Sequence, residues 1–319
     1  MDVPRTLGPF LRRQFTAPAT ALAALLILGA LTLFYGIVPF FHHNFSVAEW
    51  AWDAWNPKND YEHARLIPLA ILFLVWRARK PLAACPLRPA ALGLIPVVFG
   101  ILCFIAAVRT LQPRVALFGL PFVLFGGVLY LWGWPAARKV AFPFALIFFT
   151  IPVPGLTQAT NGLQLLASKV AYTLSSVLGA DVVQSGNNLA SSSDAWGFNV
   201  SEGCSGIRSL MALTLVAAVY GYLTQKKLWK GLVLFAASVP IAIIANALRV
   251  TTIILIAESG HPELAGGIYH DWSGFLFFPL GLAGLILLDK ALNPTGIIVR
   301  KQTTRAGGQK GDESLVSDH

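Results

Sequence analysis

Residues 201–213 read SEGCSGIRSLMAL, which sets a thiol, Cys204, and a guanidinium, Arg208, four positions apart where a long apolar run begins. A free thiol is a weak nucleophile and a thiolate a strong one; a helix N-terminus or a nearby cation lowers the thiol pKa. Ser205 and Gly206 open the apolar run, so Cys204 stands at a helix mouth with Arg208 one turn on. A cation in the first turn opposes the helix dipole. Arg208 therefore needs an anion, and a thiolate or a developing oxyanion would serve. Arg249 lies near the end of the next apolar run, where an ionisable side chain marks a functional site by default. Its guanidinium suits the oxyanion of acyl transfer. Asn246, three residues earlier, shares its helix face. His270, followed by Asp271 at the mouth of a further apolar run, suits a general acid and base. Nucleophile, base and oxyanion donor together describe a cysteine acyl-transfer site.

Plainer readings stand beside this one. A cysteine at a helix end is most often a small buried residue, and Arg208 and Arg249 also suit interface anchors whose heads snorkel to water. His42, His43, His63, His261 and His270 fall on one side of the chain's topology, where Glu62, Glu258 and Asp271 would complete a metal site. No HExxH or comparable spaced pair occurs, so neither a metal nor a cofactor is expected. Cys85, Cys103 and Cys204 are widely spaced with no CxxC, which argues against a disulfide framework or a structural zinc.

The elements that must position these residues are membrane helices. Hydrophobic residues make up 55% of the 319-residue chain and charged residues only 12%, where a soluble chain carries about a quarter. The formal net charge is +9, but the basic residues sit in short clusters between apolar runs. That is a topology signal rather than a nucleic-acid surface. Spanning the hydrocarbon takes about 20 apolar residues, and eight runs qualify: 17–40, 64–80, 90–108, 114–134, 138–154, 205–224, 230–256 and 272–289. The second is flanked by Arg65, Arg77 and Arg79, and the fifth carries Pro143, Pro152 and Pro154, so it kinks or ends early. With both termini inside, 17 of the 24 Lys and Arg fall on the inner side, as the positive-inside rule requires.

The first run is too long for a signal-peptide core and reads as a retained span. Residues 1–290 read as one embedded domain and 291–319 as a polar, disordered tail. Between the fifth and sixth runs lies a polar segment. Its first part spaces Leu156, Leu163, Leu166, Val170, Leu174 and Val177 as an amphipathic helix, on the outer surface or packed on the bundle. The Ser- and Asn-rich remainder reads as a loop with room for a small hairpin, and serves either as a connector or as a substrate platform. The fold class is thus an all-α polytopic bundle, with an outer amphipathic helix and loop before the sixth span. Helix rise alone returns Cys204, Arg249 and His270 to one side of the membrane at similar depth.

The segments EGCSGIRSL, NALRV and HDWSG resemble the three signatures of the exosortase/archaeosortase family. NDYEHARLIPLAILFLVWRARK resembles that family's early outer-loop motif, FPFALIFFTIPVPG its proline-rich fifth span, and LQLLASKVAYTLSSVLG the stretch ahead of its cysteine. The likeness covers roughly residues 50–290. It implies a membrane-embedded cysteine transpeptidase of the bacterial cytoplasmic membrane, with its site facing the periplasm or exterior, often beside exopolysaccharide synthesis. Its implied partners are membrane lipid, a lipid-linked or amine acceptor, and a protein substrate. That substrate carries a C-terminal signal of a short motif such as Pro-Glu-Pro, a transmembrane helix and a basic cluster. Carried over by motif, the nucleophile falls on Cys204, the essential arginine on Arg249 and the histidine on His270; Glu202, Arg208 and Asn246 match further motif positions. Glu62 and Ala64 replace the family's usual Ser and Gly, which leaves the roles of Asp60 and His63 open. A transporter or export component that binds an anionic substrate, and a metal-dependent hydrolase or acyltransferase, are the rival readings.

Overall fold

The computed structural model describes residues 17–40, 45–199 and 206–293. The chain is mostly helical. Its helices are α1 (Ala17–Leu31, continued by a π-helical turn, Thr32–Ile37), α2 (Val47–Ala54), α3 (Ile67–Ala83), α4 (Leu94–Thr110), α5 (Pro113–Trp132) and α6 (Trp134–Ala145). They continue as α7 (Leu156–Val177), α8 (Ile207–Thr224), α9 (Leu228–Glu258), α10 (Pro262–Gly266) and α11 (Ile268–Leu292). Six stretches are long and apolar enough to cross a membrane: Thr20–Ile37, Ala91–Thr110, Pro113–Trp132, Ile207–Thr224, Leu228–Glu258 and Ile268–Leu292. The chain is a multi-pass membrane protein. The other two expected spans are shorter. In place of 64–80, α3 begins at Ile67, because Pro68 suits a helix start and a 3-10 turn, Glu62–Leu66, precedes it. In place of 138–154, α6 tightens into a 3-10 turn, Leu146–Thr150, and stops ahead of Pro152 and Pro154.

Lipid offers no hydrophobic drive between helices, so close approach of small residues must supply packing. The α4–α5 pair shows this. A Cβ placed on Gly100 would sit 2.4 Å from Val123 Cγ2 and 2.6 Å from the Gly119 carbonyl. Only glycine at both levels lets the two backbones touch.

At the end of the bundle away from Arg208, a buried polar knot ties α8 to α11. Asp289 is 2% exposed. It accepts hydrogen bonds from Tyr220 Oη (2.7 Å), Gln225 Nε2 (2.6 Å) and Asn293 Nδ2 (2.7 Å). Lys230 Nζ then donates to the Leu292 carbonyl (2.7 Å) and to Asn293 Oδ1 (2.6 Å).

The 31 residues of α9 make a rod about 46 Å long, against roughly 30 Å of hydrocarbon. Its C-terminal third carries a small cap built from α7, a sheet and α10. The segment expected as a loop forms three antiparallel strands, β1 (Val182–Ser185), β2 (Asn188–Ser191) and β3 (Gly197–Asn199), in the order β1-β2-β3. Ser185 pairs with Asn188, so Gly186-Asn187 is a two-residue hairpin turn, with Gly186 at φ 62°. Leu189, Trp196 and Val182 bury against Val250, Ile253, Ile254 and Ala257 of α9. Glu258 locks the assembly: Trp196 Nε1 donates to it at 2.9 Å and the Asp181 amide at 3.3 Å.

The expected amphipathic helix is present as α7, packed on α9. Gln164, Ala167, Ser168, Ala171 and Ser175 are the buried stripe, while Leu165 (40% exposed), Leu166 (48%) and Val177 (79%) face outward. Small residues turned inward and leucines outward is packing by close approach, not by burial of an apolar stripe.

Candidate functional site

The candidate site lies where α8, α9 and α11 meet beneath the cap. Cys204 and Glu202 lie outside the described residues, so the site is built from the groups around them. Gly206, two residues after Cys204 in sequence, caps the N-terminus of α8 in the left-handed region at φ 66°. It does so against Asn246 of α9: a Cβ here would approach Asn246 Nδ2 to 2.9 Å. Glycine is thus required twice at one position, by backbone conformation and by contact. Asn246 itself is 5% exposed.

One turn further along α9, Arg249 reaches to α11. Its Nε donates to Ser273 Oγ at 2.7 Å and its Nη2 to the His270 carbonyl at 2.9 Å. Ser273 Oγ donates to that same carbonyl at 2.8 Å, which closes a three-membered network. Both acceptors are neutral. Arg249 forms no ion pair among the described residues, and of its five N–H donors two are used in these bonds. Among the described residues the half-buried cation thus has two neutral partners and three N–H donors outside these bonds. Asn246 and Arg249 also line a narrow cleft with Ser209, Leu213, Gly274 and Phe278.

His270 stands in the first turn of α11, and its Nδ1 lies 3.2 Å from Asp271 Oδ1. The histidine side chain is 24% exposed and the aspartate 77%. An exposed carboxylate contributes little stability, but it favours the tautomer that carries a proton on Nδ1. A carboxylate at this position also complements the α11 dipole.

Arg208 is committed elsewhere. The anion it needs comes from the early loop: Nη2 lies 3.3 Å from Asp60 Oδ1 and Nε 3.1 Å from Glu62 Oε1. Nη2 also donates to the Pro57 carbonyl at 3.2 Å. The loop is rigid enough to do this. Asn56 Oδ1 caps its 3-10 turn by accepting from the Asn59 amide, and Asp60 adopts the left-handed conformation at φ 59°. Tyr61 Oη accepts from the Val153 amide at 3.1 Å, and Trp55 Nε1 donates to the Thr150 carbonyl at 2.7 Å. Arg208 is thus a strut between the loop and the first turn of α8. The sequence showed that it required an anion; it did not show that Asp60 and Glu62 supply one.

His63 lies inside this loop at 7% exposure. Burial holds its pKa below the usual histidine value. Backbone groups of Phe149 and Asp60 and the Glu62 charge oppose that shift, but neither ring nitrogen makes a hydrogen bond of normal geometry. His261 is exposed. Among the described residues no three His, Cys, Asp or Glu side chains gather as a metal site. Cys85 and Cys103 are unpaired thiols.

The structure thus brings Asn246, Arg249, Ser273, His270 and Asp271 to one place beside the N-terminus of α8. It sets Arg208 apart with Asp60 and Glu62. Ser273 was absent from the sequence reading, although HDWSG already places it one helical turn after His270. In comparison with known proteins, residues 54–287 match the family described as transmembrane exosortase (Exosortase_EpsH). No curated protein and no solved structure matches the chain.

Proposed function

Because the chain belongs to the transmembrane exosortase family, we propose that it is a cysteine transpeptidase that cuts and sorts membrane-tethered proteins bearing a C-terminal tripartite signal. In this reading residues 1–290 form one embedded domain that crosses the bacterial cytoplasmic membrane eight times, with α3 and α6 as the short crossings. Both termini are inside, and the cap and the Arg208 end face the periplasm or exterior.

The observation that carries the reading is the state of the two arginines. Arg208 is neutralised by two carboxylates, whereas among the described residues Arg249 meets neutral acceptors and is tied to the backbone of His270. A cation held next to a histidine by uncharged partners suits an oxyanion that develops only during reaction. Cys204 is the nucleophile: its thiolate attacks the carbonyl carbon of the recognition segment and a tetrahedral oxyanion forms. Arg249 holds that oxyanion. His270 Nε2, having taken the Cys204 thiol proton to form that thiolate, delivers it to the leaving amine, and a thioester remains on Cys204. His270 then removes a proton from the incoming amine, lipid-linked acceptor or water, which releases the acyl group. Asp271 orients His270, Ser273 and Asn246 set the position of Arg249 and of the α8 turn, and Glu202 lies beside the nucleophile in sequence.

Processing in cells tests this. A reporter with a Pro-Glu-Pro motif, a transmembrane helix and a basic cluster is expressed beside the wild-type protein or Cys204→Ala, and its size is followed on a gel. Shortening by the wild type alone supports the thiol as nucleophile. Equal shortening by both removes Cys204 from the mechanism.

A further inference from the structure

A cavity of about 380 Å³ opens at the Arg208 end of the bundle, within the range of small-ligand sites. Its walls are Trp50 and Asp53 of α2, Asp60 and Tyr61 of the early loop, the segment Pro152–Gly155, Arg114 of α5, and Ile207 of α8. Ile207 is three residues beyond Cys204 in sequence, so this cavity adjoins the start of α8, the helix that follows the proposed nucleophile in sequence.

Among the described residues Arg114 is the one cation in the lining, and nothing there explains its placement. It lies in the first turn of α5, where a positive charge opposes the helix dipole. One nitrogen, Nη1, donates to Gln112 Oε1 at 3.2 Å. Its Nε is buried from solvent without a hydrogen-bond partner. The guanidinium carbon stands 5.6 Å from the Trp50 ring centroid, a contact that fixes the plane of the group but leaves its charge unbalanced. Asp53 and Asp60 share the cavity without forming an ion pair to it; Asp60 pairs with Arg208 instead. A buried guanidinium N–H with no acceptor is costly, and the side chain that bears it lines a space large enough to admit a ligand beside its other nitrogens.

We propose that this cavity seats an extended peptide segment of the substrate and that Arg114 receives the carboxylate of one acidic side chain in it. The proposal rests on the transpeptidase reading and names what selects its substrate. Asp53 and Asp60 also line the cavity and disfavour an anion beside them, so the carboxylate has its seat at Arg114. The Trp50 ring lies beside that guanidinium and offers a flat apolar face. Planar, two-pronged donors such as guanidinium discriminate carboxylate from amide by charge and geometry together.

Binding tests the proposal apart from the chemistry. Full-length Cys204→Ala protein in detergent is titrated with two acetylated, amidated peptides, Ala-Pro-Glu-Pro-Ala and Ala-Pro-Gln-Pro-Ala. The Glu peptide should bind about 10- to 100-fold more tightly than the Gln peptide. Adding Arg114→Gln should bring both to the Gln value, while Arg114→Lys should keep part of the preference. Equal binding of the two peptides, no binding of either, or a preference that survives Arg114→Gln overturns the proposal. So does a loss on Arg114→Gln that is the same for both peptides and is matched by lost binding of phosphatidylglycerol vesicles, which would assign the guanidinium to a lipid phosphate. The processing test with Cys204→Ala reads the transpeptidase reading separately: it fails if Cys204 is dispensable, whatever the peptides do.

Discussion

Replacing Arg249 by lysine should separate charge from geometry. The wild-type guanidinium spends Nε on Ser273 and Nη2 on the His270 carbonyl, at 2.7 and 2.9 Å, and aims its other donors away from both. An ammonium keeps the charge but is a single point on a flexible four-carbon stem of shorter reach. It can hold one of these acceptors, or point at the oxyanion, but not both. Loss of one hydrogen bond from a charged donor costs about 1.5–3 kcal/mol. Ser273 Oγ retains its own bond to the His270 carbonyl, which places the stability loss at the lower end of that range. Loss of a preorganised oxyanion donor costs about 10²–10³ in turnover. Arg249→Lys should therefore lower reporter processing by about that factor, with only a small fall in the thermal midpoint in detergent. Arg208→Gln is the control for charge alone. Its side chain is 56% exposed, so its pairs with Asp60 and Glu62 are screened and the stability loss should stay within about 1 kcal/mol. Wild-type turnover in Arg249→Lys, or a larger catalytic loss in Arg208→Gln, would refute the assignment of the oxyanion to Arg249.

Three further outcomes follow from packing and protonation. Gly100→Val should open the α4–α5 contact, since even a Cβ at Gly100 meets Val123 at 2.4 Å; overpacking of this kind costs about 1–3 kcal/mol and should appear as a lower thermal midpoint. Asp289→Ala leaves Tyr220, Gln225 and Asn293 facing an empty acceptor site and should cost about 2–4 kcal/mol, while Asp289→Asn should cost less; chemical denaturation in mixed micelles measures both. Because burial depresses the His63 pKa, the unfolded chain takes up a proton before the folded one as pH falls below about 6.5. Stability should therefore drop on acidification from pH 7 towards 5, and His63→Gln should flatten that slope in a melting series.

Much of this architecture is legible in the sequence because membrane helices announce themselves by length and hydropathy. The six long apolar stretches coincide with runs read directly from the sequence, and the proline cluster at 143–154 foretells the early stop of α6. What is lost is whatever depends on the partner of a face. The leucine periodicity of α7 identifies the helix and leaves its buried side open, since spacing cannot say whether lipid or protein meets the leucines. The hairpin turn Gly186-Asn187 was readable as a two-residue turn signal, but the strands beside it are only four residues each, too short to alternate visibly. At the site, chain arithmetic returns Arg249 and His270 to one depth, and the structure joins them by a hydrogen bond. Arg114 and Asp289 escaped notice as single charges without a motif. Their meaning lies in what surrounds them, a cavity in one case and three amide or hydroxyl donors in the other.

The knot around Asp289 also decides how the last helix ends. A helix normally leaves its final carbonyls to whatever residues follow. In α11 that duty falls on side chains from earlier in the chain: Lys230 binds the Leu292 carbonyl, and Gln225 Oε1 accepts from Asn293 Nδ2 at 3.0 Å. The Asn293 amide closes the turn onto the Asp289 carbonyl at 2.9 Å. The terminus of α11 is therefore sealed before residue 294 begins. These bonds are made by residues up to Asn293 alone, so a fluorescent or enzymatic fusion joined after it should report which side of the membrane that end occupies without loss of the contacts that hold α11.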